Sequence, residues 1–288
     1  MPFSLPRALR RPLHAAGALV LVLGLLAGCT SLETQQRRWI FQPAATTWWA
    51  GQGATEGMQD VWIDFDSAET GQPARLHGLW LPQAKADAPV LLYLHGARWD
   101  VTGSAGRVRR MHALGFSVLA VDYRGFGKTS RELPSETMAY EDAQAAWRWL
   151  AERHPQAQRY VFGHSLGGAI AVDLASRVVD ESGLIVEGSF TSIPEVFAQM
   201  RWGWLPLGPL ITQRFDAHAK IDRVGSPLLV VHGSEDRLIP PALGRALYER
   251  AASPKRWVLV EGGSHHNTNA VGQSAYREAI RELFGLGT

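Results

Sequence analysis

The stretch from Tyr160 to Ile170 reads YVFGHSLGGAI, and its G-x-S-x-G core is formed by Gly163, Ser165 and Gly167. Before it, RYVFG (Arg159 to Gly163) has the β-branched and aromatic content of a strand, and after it LGGAIAVDLASRVV spaces small and apolar residues for a helix. A serine at so tight a strand-to-helix turn is held out above the sheet at the helix N-terminus. The flanking positions tolerate little side chain, so Gly163 and Gly167 are steric requirements. Alone, the pattern also fits a glycine-rich junction with an incidental serine, and its meaning depends on what the rest of the chain supplies.

Working outward, short apolar runs recur between longer helix-like segments: VLLYLH, SVLAVD, GLIVEG, PLLVVHG and RWVLVEG. Runs of that length suit strands covered on both faces. AYEDAQAAWRWLAERH and the segment after Ser165 space their apolar residues for helices, which gives the alternation of a parallel α/β sheet. Ahead of these, VWIDF from Val61 and RLHGLWLP, separated by ETGQPA, read as a hairpin that opens the domain. Between about 190 and 221 the alternation breaks into an apolar, aromatic stretch with Phe197, Met200, Trp202, Trp204 and Phe215, cut by Pro194, Pro206 and Pro209. This predicts an inserted cap of short helices, because interior proline breaks a regular helix.

A neutral serine is a poor nucleophile. It needs a base to take its proton and a third group to hold that base in the right tautomer. In this topology the chain order is serine, acid, histidine. VVHGSEDRLIP places Asp236 just past one predicted strand, and VLVEGGSHHN places His265 and His266 just past the next. Asp236 alone could be a loop or capping residue. Three residue types at successive strand ends, in the required order, make catalysis the stronger reading.

The chain of 288 residues is 46% hydrophobic and 19% charged, enough to bury the core of one large domain. Its first 28 residues differ: Arg7, Arg10 and Arg11 precede an uncharged apolar run that ends in LAGC, Leu26 to Cys29. Residues 1–28 therefore read as a signal peptide, the apolar run being shorter than the ~20 residues of a spanning helix. Its removal takes three arginines and no acid from totals of 29 basic and 27 acidic residues, leaving a net charge of −1. No basic cluster remains as a nucleic-acid footprint. No spacing of histidines and acids suggests a metal site, and no motif calls for a cofactor. Residues 29–60 read as a tether and an irregular segment lying on the domain that fills 61–288.

HGAR, DYRGFGKTS, GHSLGG, HGSEDRLIP and GGSHHN, in this order, resemble the α/β-hydrolase superfamily, and within it the α/β-hydrolase-domain and serine-aminopeptidase-like proteins. The resemblance implies a mostly parallel eight-stranded sheet flanked by helices and a Ser165–Asp236–His265 triad. Relatives place the base after a glycine and two small residues, which puts His265 in the triad and His266 beside it. YLHGARWD falls at the oxyanion loop, so that the backbone N–H groups of Ala97 and Leu166 are the expected donors. LAGC resembles a bacterial lipobox, which implies that Cys29, the only cysteine, carries lipid. Thr30, where inner-membrane retention uses aspartate, implies an outer-membrane lipoprotein facing the periplasm.

The expected function is that of a lipid-anchored serine hydrolase acting on a small-molecule carboxylic ester or related acyl compound with an apolar part. The alternatives are a thioesterase or peptidase on the same triad, and a non-catalytic lipid-anchored binding protein.

Overall fold

A computed structural model describes residues 30–43, 53–201 and 203–287; the signal peptide, Cys29 and Trp202 lie outside the described residues. Eight strands form one sheet: β1 (Gln59–Asp66), β2 (Pro73–Leu81), β3 (Val90–Leu94), β4 (Ser117–Val121), β5 (Arg159–His164), β6 (Gly183–Glu187), β7 (Leu228–Gly233) and β8 (Lys255–Val260). Their spatial order is β1-β2-β4-β3-β5-β6-β7-β8. β1 and β2 form the expected hairpin and β2 pairs antiparallel with β4, while all later pairings are parallel.

Continuous apolar runs become buried strands because helices cover both faces. Val90, Leu92 and Leu94 of β3 point into a core shared with α3 (Glu136–Arg153), α4 (Leu166–Ala175) and α6 (Pro241–Arg250). Leu91 and Tyr93 point the other way, into a core shared with α2 (Ala105–His112) and with α8 (Gln273–Phe284), which follows the single-turn α7 (Thr268–Val271). The alternation is the period-two geometry of a strand read on two apolar sides.

Two expectations need correction. The segment before the domain is not irregular throughout, because residues 30–41 form a helix, α1. Tertiary contacts fix it: Phe41 is fully buried, with ring centroids 5.6 Å from Phe215 and 6.4 Å from Phe126. The Gln36 side chain also donates to Leu210 O and accepts from Thr212 N, each at 2.8 Å. In the 190–221 stretch, Pro194 opens a helix instead of interrupting one. It lies in the first turn of α5 (Ile193–Ala198), where a missing N–H costs nothing, and Ser192 caps that turn by accepting from Glu195 N. Beyond α5 the stretch holds single 3₁₀ turns at Gly208–Leu210 and Ile221–Arg223.

Candidate active site

Ser165 sits between β5 and α4 with φ 56° and ψ −121°, a conformation that costs a side-chain-bearing residue about 1–3 kcal/mol. The surroundings impose it. Ser165 N donates to Glu187 O at 2.9 Å. A Cβ on Gly163 would lie 2.2 Å from Gly167 O, and one on Gly167 would lie 2.2 Å from Leu94 O. Both obstacles are backbone, so the glycines flanking Ser165 have no substitute.

The loop after β8 brings His265 over this turn. Its Nε2 lies 3.0 Å from Ser165 Oγ, and its Nδ1 lies 2.7 Å from Asp236 Oδ2. In that arrangement Nδ1–H donates to the carboxylate and Nε2 is free to accept from the serine hydroxyl. Asp236, past the end of β7, is itself fixed by the amides of Leu238 and Ile239, which donate to Oδ1 at 3.0 and 2.8 Å. Burial pushes the Asp236 carboxyl up, but hydrogen bonds to His232 and His265, the charge of His265 and the Ile239 amide outweigh it. They hold the group well below the usual carboxylate range. Ser165, Asp236 and His265, selected from sequence, are thus brought together.

His266 lines the same cavity as Ser165 but packs on other rings. Its ring centroid lies 5.2 Å from that of Trp99, and it meets His265 edge-on at 82°. His95 packs between Tyr123 and Phe126, and its Nδ1 lies 2.6 Å from Gly96 O. Burial lowers its pKa and keeps it neutral.

Of the expected oxyanion donors, Leu166 opens α4, so its N–H belongs to a first turn that has no intrahelical acceptors. Ala97 lines the same cavity as Ser165. The chain passes close there, since a Cβ on Gly96 would stand 3.1 Å from Ser165 Cβ. The next residue, Arg98, is held at φ 81°, and its N–H donates to Phe41 O at 2.9 Å, so α1 braces this loop.

Sequence reasoning missed Arg107 and Glu187. Arg107 Nε donates to Glu187 Oε1 at 2.8 Å, and its Nη2 donates to the carbonyls of His265 and His266 at 3.1 and 3.0 Å. His164 Nε2 lies 3.1 Å from the same nitrogen and donates to His265 O at 3.0 Å. Burial and the positive charge of Arg107 push the His164 pKa well down, so this ring is neutral, with its one N–H on the His265 carbonyl. Tyr276 donates its hydroxyl to the other Glu187 oxygen. One buried ion pair therefore joins α2, β6 and α8 beneath the loop that carries His265. It left no local sequence signal, because its two charges are 80 residues apart.

The cavity in front of Ser165 has a volume of about 200 Å³. Phe190, Val196, Phe197 and Met200 wall one side, and Trp39 and Ile40 of α1 close another. Among the described residues, no aspartate or glutamate lines it.

Residues 85–212 match the family profile described as serine aminopeptidase. An uncharacterized protein of Mycobacterium tuberculosis is 34% identical over 283 residues, covering 97% of this chain and 96% of that one. The lysophosphatidylserine lipase ABHD12 of Danio rerio is 32% identical over 186 residues, but these are 58% of this chain and 48% of the lipase. Among solved structures, an esterase of Pyrococcus furiosus superposes with a TM-score of 0.66 at 19% identity, covering 84% of this chain and 99% of its own. Est1E of Butyrivibrio proteoclasticus, solved with ferulic acid bound, also gives 0.66, at 17% identity, covering 78% and 100%. These last two likenesses speak to the fold. The chain belongs to the α/β-hydrolase superfamily.

Proposed function

We propose that this protein is a serine hydrolase that cleaves a carboxylic ester or related acyl compound through an acyl-Ser165 intermediate. The observation that carries the reading is the His265 ring, spanning Ser165 Oγ at 3.0 Å and Asp236 at 2.7 Å. His265 accepts the serine proton as Oγ attacks the acyl carbon, then returns it to the departing alkoxide. Asp236 holds the tautomer and stabilises the imidazolium. The N–H groups of Ala97 and Leu166 receive the carbonyl oxygen as it gains charge. Water repeats the sequence on the acyl-enzyme and releases the acid.

The cavity supports an apolar acyl part, since Phe190, Val196, Phe197 and Met200 line it. The family profile's description favours a second reading, an aminopeptidase on the same triad. A carboxylate would hold the free ammonium group of such a substrate, and among the described residues none lines the cavity. The named ester lipid of the lysophosphatidylserine lipase relative is also in keeping with the ester reading.

The reading extends to location: a lipid on Cys29, with the enzyme held at the bacterial outer membrane facing the periplasm. A panel of matched short-chain esters, thioesters and aminoacyl amides tests the chemistry. Esters are expected to turn over fastest, and turnover confined to amides bearing a free α-amino group would replace this reading with the peptidase.

A further inference from the structure

Among the described residues, eleven large apolar side chains stand exposed, and seven of them belong to α1, the 190–221 stretch and the loop after Asp236. Trp39, Met200 and Leu238 line the cavity mouth itself, at 52%, 39% and 50% exposure. Leu32, Gln36 and Trp39 follow one another at i, i+4 and i+7 and so share a face of α1. The Gln36 hydrogen bonds to Leu210 O and Thr212 N set that face beside the cap. There Trp204 and Leu210 are 74% and 55% exposed. The result is an apolar rim around one opening, carrying two tryptophans, a residue suited to the boundary between water and lipid.

The position of the chain before α1 says what covers this rim. α1 is described from Thr30, the residue after Cys29, and at 1.5 Å per residue Trp39 stands only about 14 Å along the helix from that end. A lipid at Cys29 would hold the rim within reach of the bilayer surface.

We propose that the rim is a membrane-docking face. Anchored at Cys29, the protein lays α1 and the cap against the bilayer, and the mouth leading to Ser165 opens onto lipid, which makes membrane-resident acyl amphiphiles its substrates. The inference rests on the lipid-anchor part of the reading above and is independent of the triad. Several acyl chains secure the anchor, and the rim's apolar surface fixes the orientation.

The test is spin-label depth measurement on the full mature lipoprotein, carrying Ser165→Ala, in phosphatidylethanolamine–phosphatidylglycerol vesicles. Nitroxides are placed singly through Leu32→Cys, Leu207→Cys and Val179→Cys, Cys29 being blocked by its lipid. Val179 is fully exposed and follows α4, which leads away from the Ser165 edge of the sheet, so it serves as the aqueous reference. The ratio of oxygen to nickel-chelate accessibility is expected to be several-fold higher at 32 and 207 than at 179. Equal, water-like ratios at all three positions overturn the proposal, as does spin–spin broadening at 32 and 207 without oxygen contact, which would mean that a second copy covers the rim. Label uptake by the chain without an introduced cysteine overturns it through the anchor. None of these readouts depends on turnover, so they leave the serine-hydrolase reading to its own test.

Discussion

The Arg107 guanidinium lies 2.8 Å from the Glu187 carboxylate and reaches past it to the backbone carbonyls of His265 and His266. Removing one partner of a buried pair leaves the other charge uncompensated, whereas replacing both by apolar groups is often tolerated.

That asymmetry separates positioning from stability. Arg107→Met should lower stability by about 3–5 kcal/mol, and the double variant Arg107→Met/Glu187→Leu should recover much of the loss. The double variant should still show a reduced kcat with little change in KM, because the two carbonyls then lose the arginine that ties them together. Thermal melts and ester kinetics on both variants check this, and a double variant with full kcat would make the pair purely structural.

The neighbouring histidines should differ sharply. His265→Ala should lower kcat by several orders of magnitude, as triad deletions do, while His266→Ala should leave it within about tenfold. Steady-state kinetics on variants shown by circular dichroism to be folded decide it, and the reverse ranking would assign the base to His266.

Two glycine substitutions should separate steric from conformational cost. On Gly167 a Cβ meets Leu94 O at 2.2 Å, while on Gly262, at φ 68°, it meets nothing within 4 Å. Gly167→Ala should cost at least about 3 kcal/mol, the upper end of ordinary overpacking. Gly262→Ala should cost about 1 kcal/mol, which at this chain length is a fall of roughly 2–4 °C in Tm. Similar melting temperatures for the two variants would contradict the packing described at the turn.

The elbow was legible because its requirements are local: a strand, a serine between small residues, and a helix, all within YVFGHSLGGAI. Asp236 and His265 were legible because each closely follows an apolar run, the buried β7 and the part-exposed edge strand β8. α1 was misread because TSLETQQRRWIF, apolar only at Leu32 and from Trp39 to Phe41, has no clean helical stripe of its own; its helix is held by Phe41 packing on residues far along the chain. Arg107 escaped for the same reason. In GSAGRVRRMH it looks like any surface arginine, and only the fold turns it toward Glu187.

A pH effect away from the site follows from His77, whose Nδ1 lies 3.2 Å from Asp122 and whose Nε2 faces Asp60. Burial pushes this imidazole down, but hydrogen bonds to the two carboxylates outweigh it and leave the pKa above the ordinary 6.5. The folded chain therefore holds this proton more tightly than the unfolded chain. Its stabilisation is complete below pH 6.5 and is lost as the pH rises through the raised value. The Tm advantage of the wild type over His77→Gln should shrink across that window, and an advantage that grows with pH would contradict the sign.

The central claim is that Ser165, activated by His265, is the nucleophile. Its most direct measurement is labelling with a fluorophosphonate, followed by mass mapping of the modified peptide. The account predicts one adduct per chain, on Ser165, absent in Ser165→Ala and strongly slowed in His265→Ala. An adduct on any other residue, or undiminished labelling of Ser165→Ala, would contradict it.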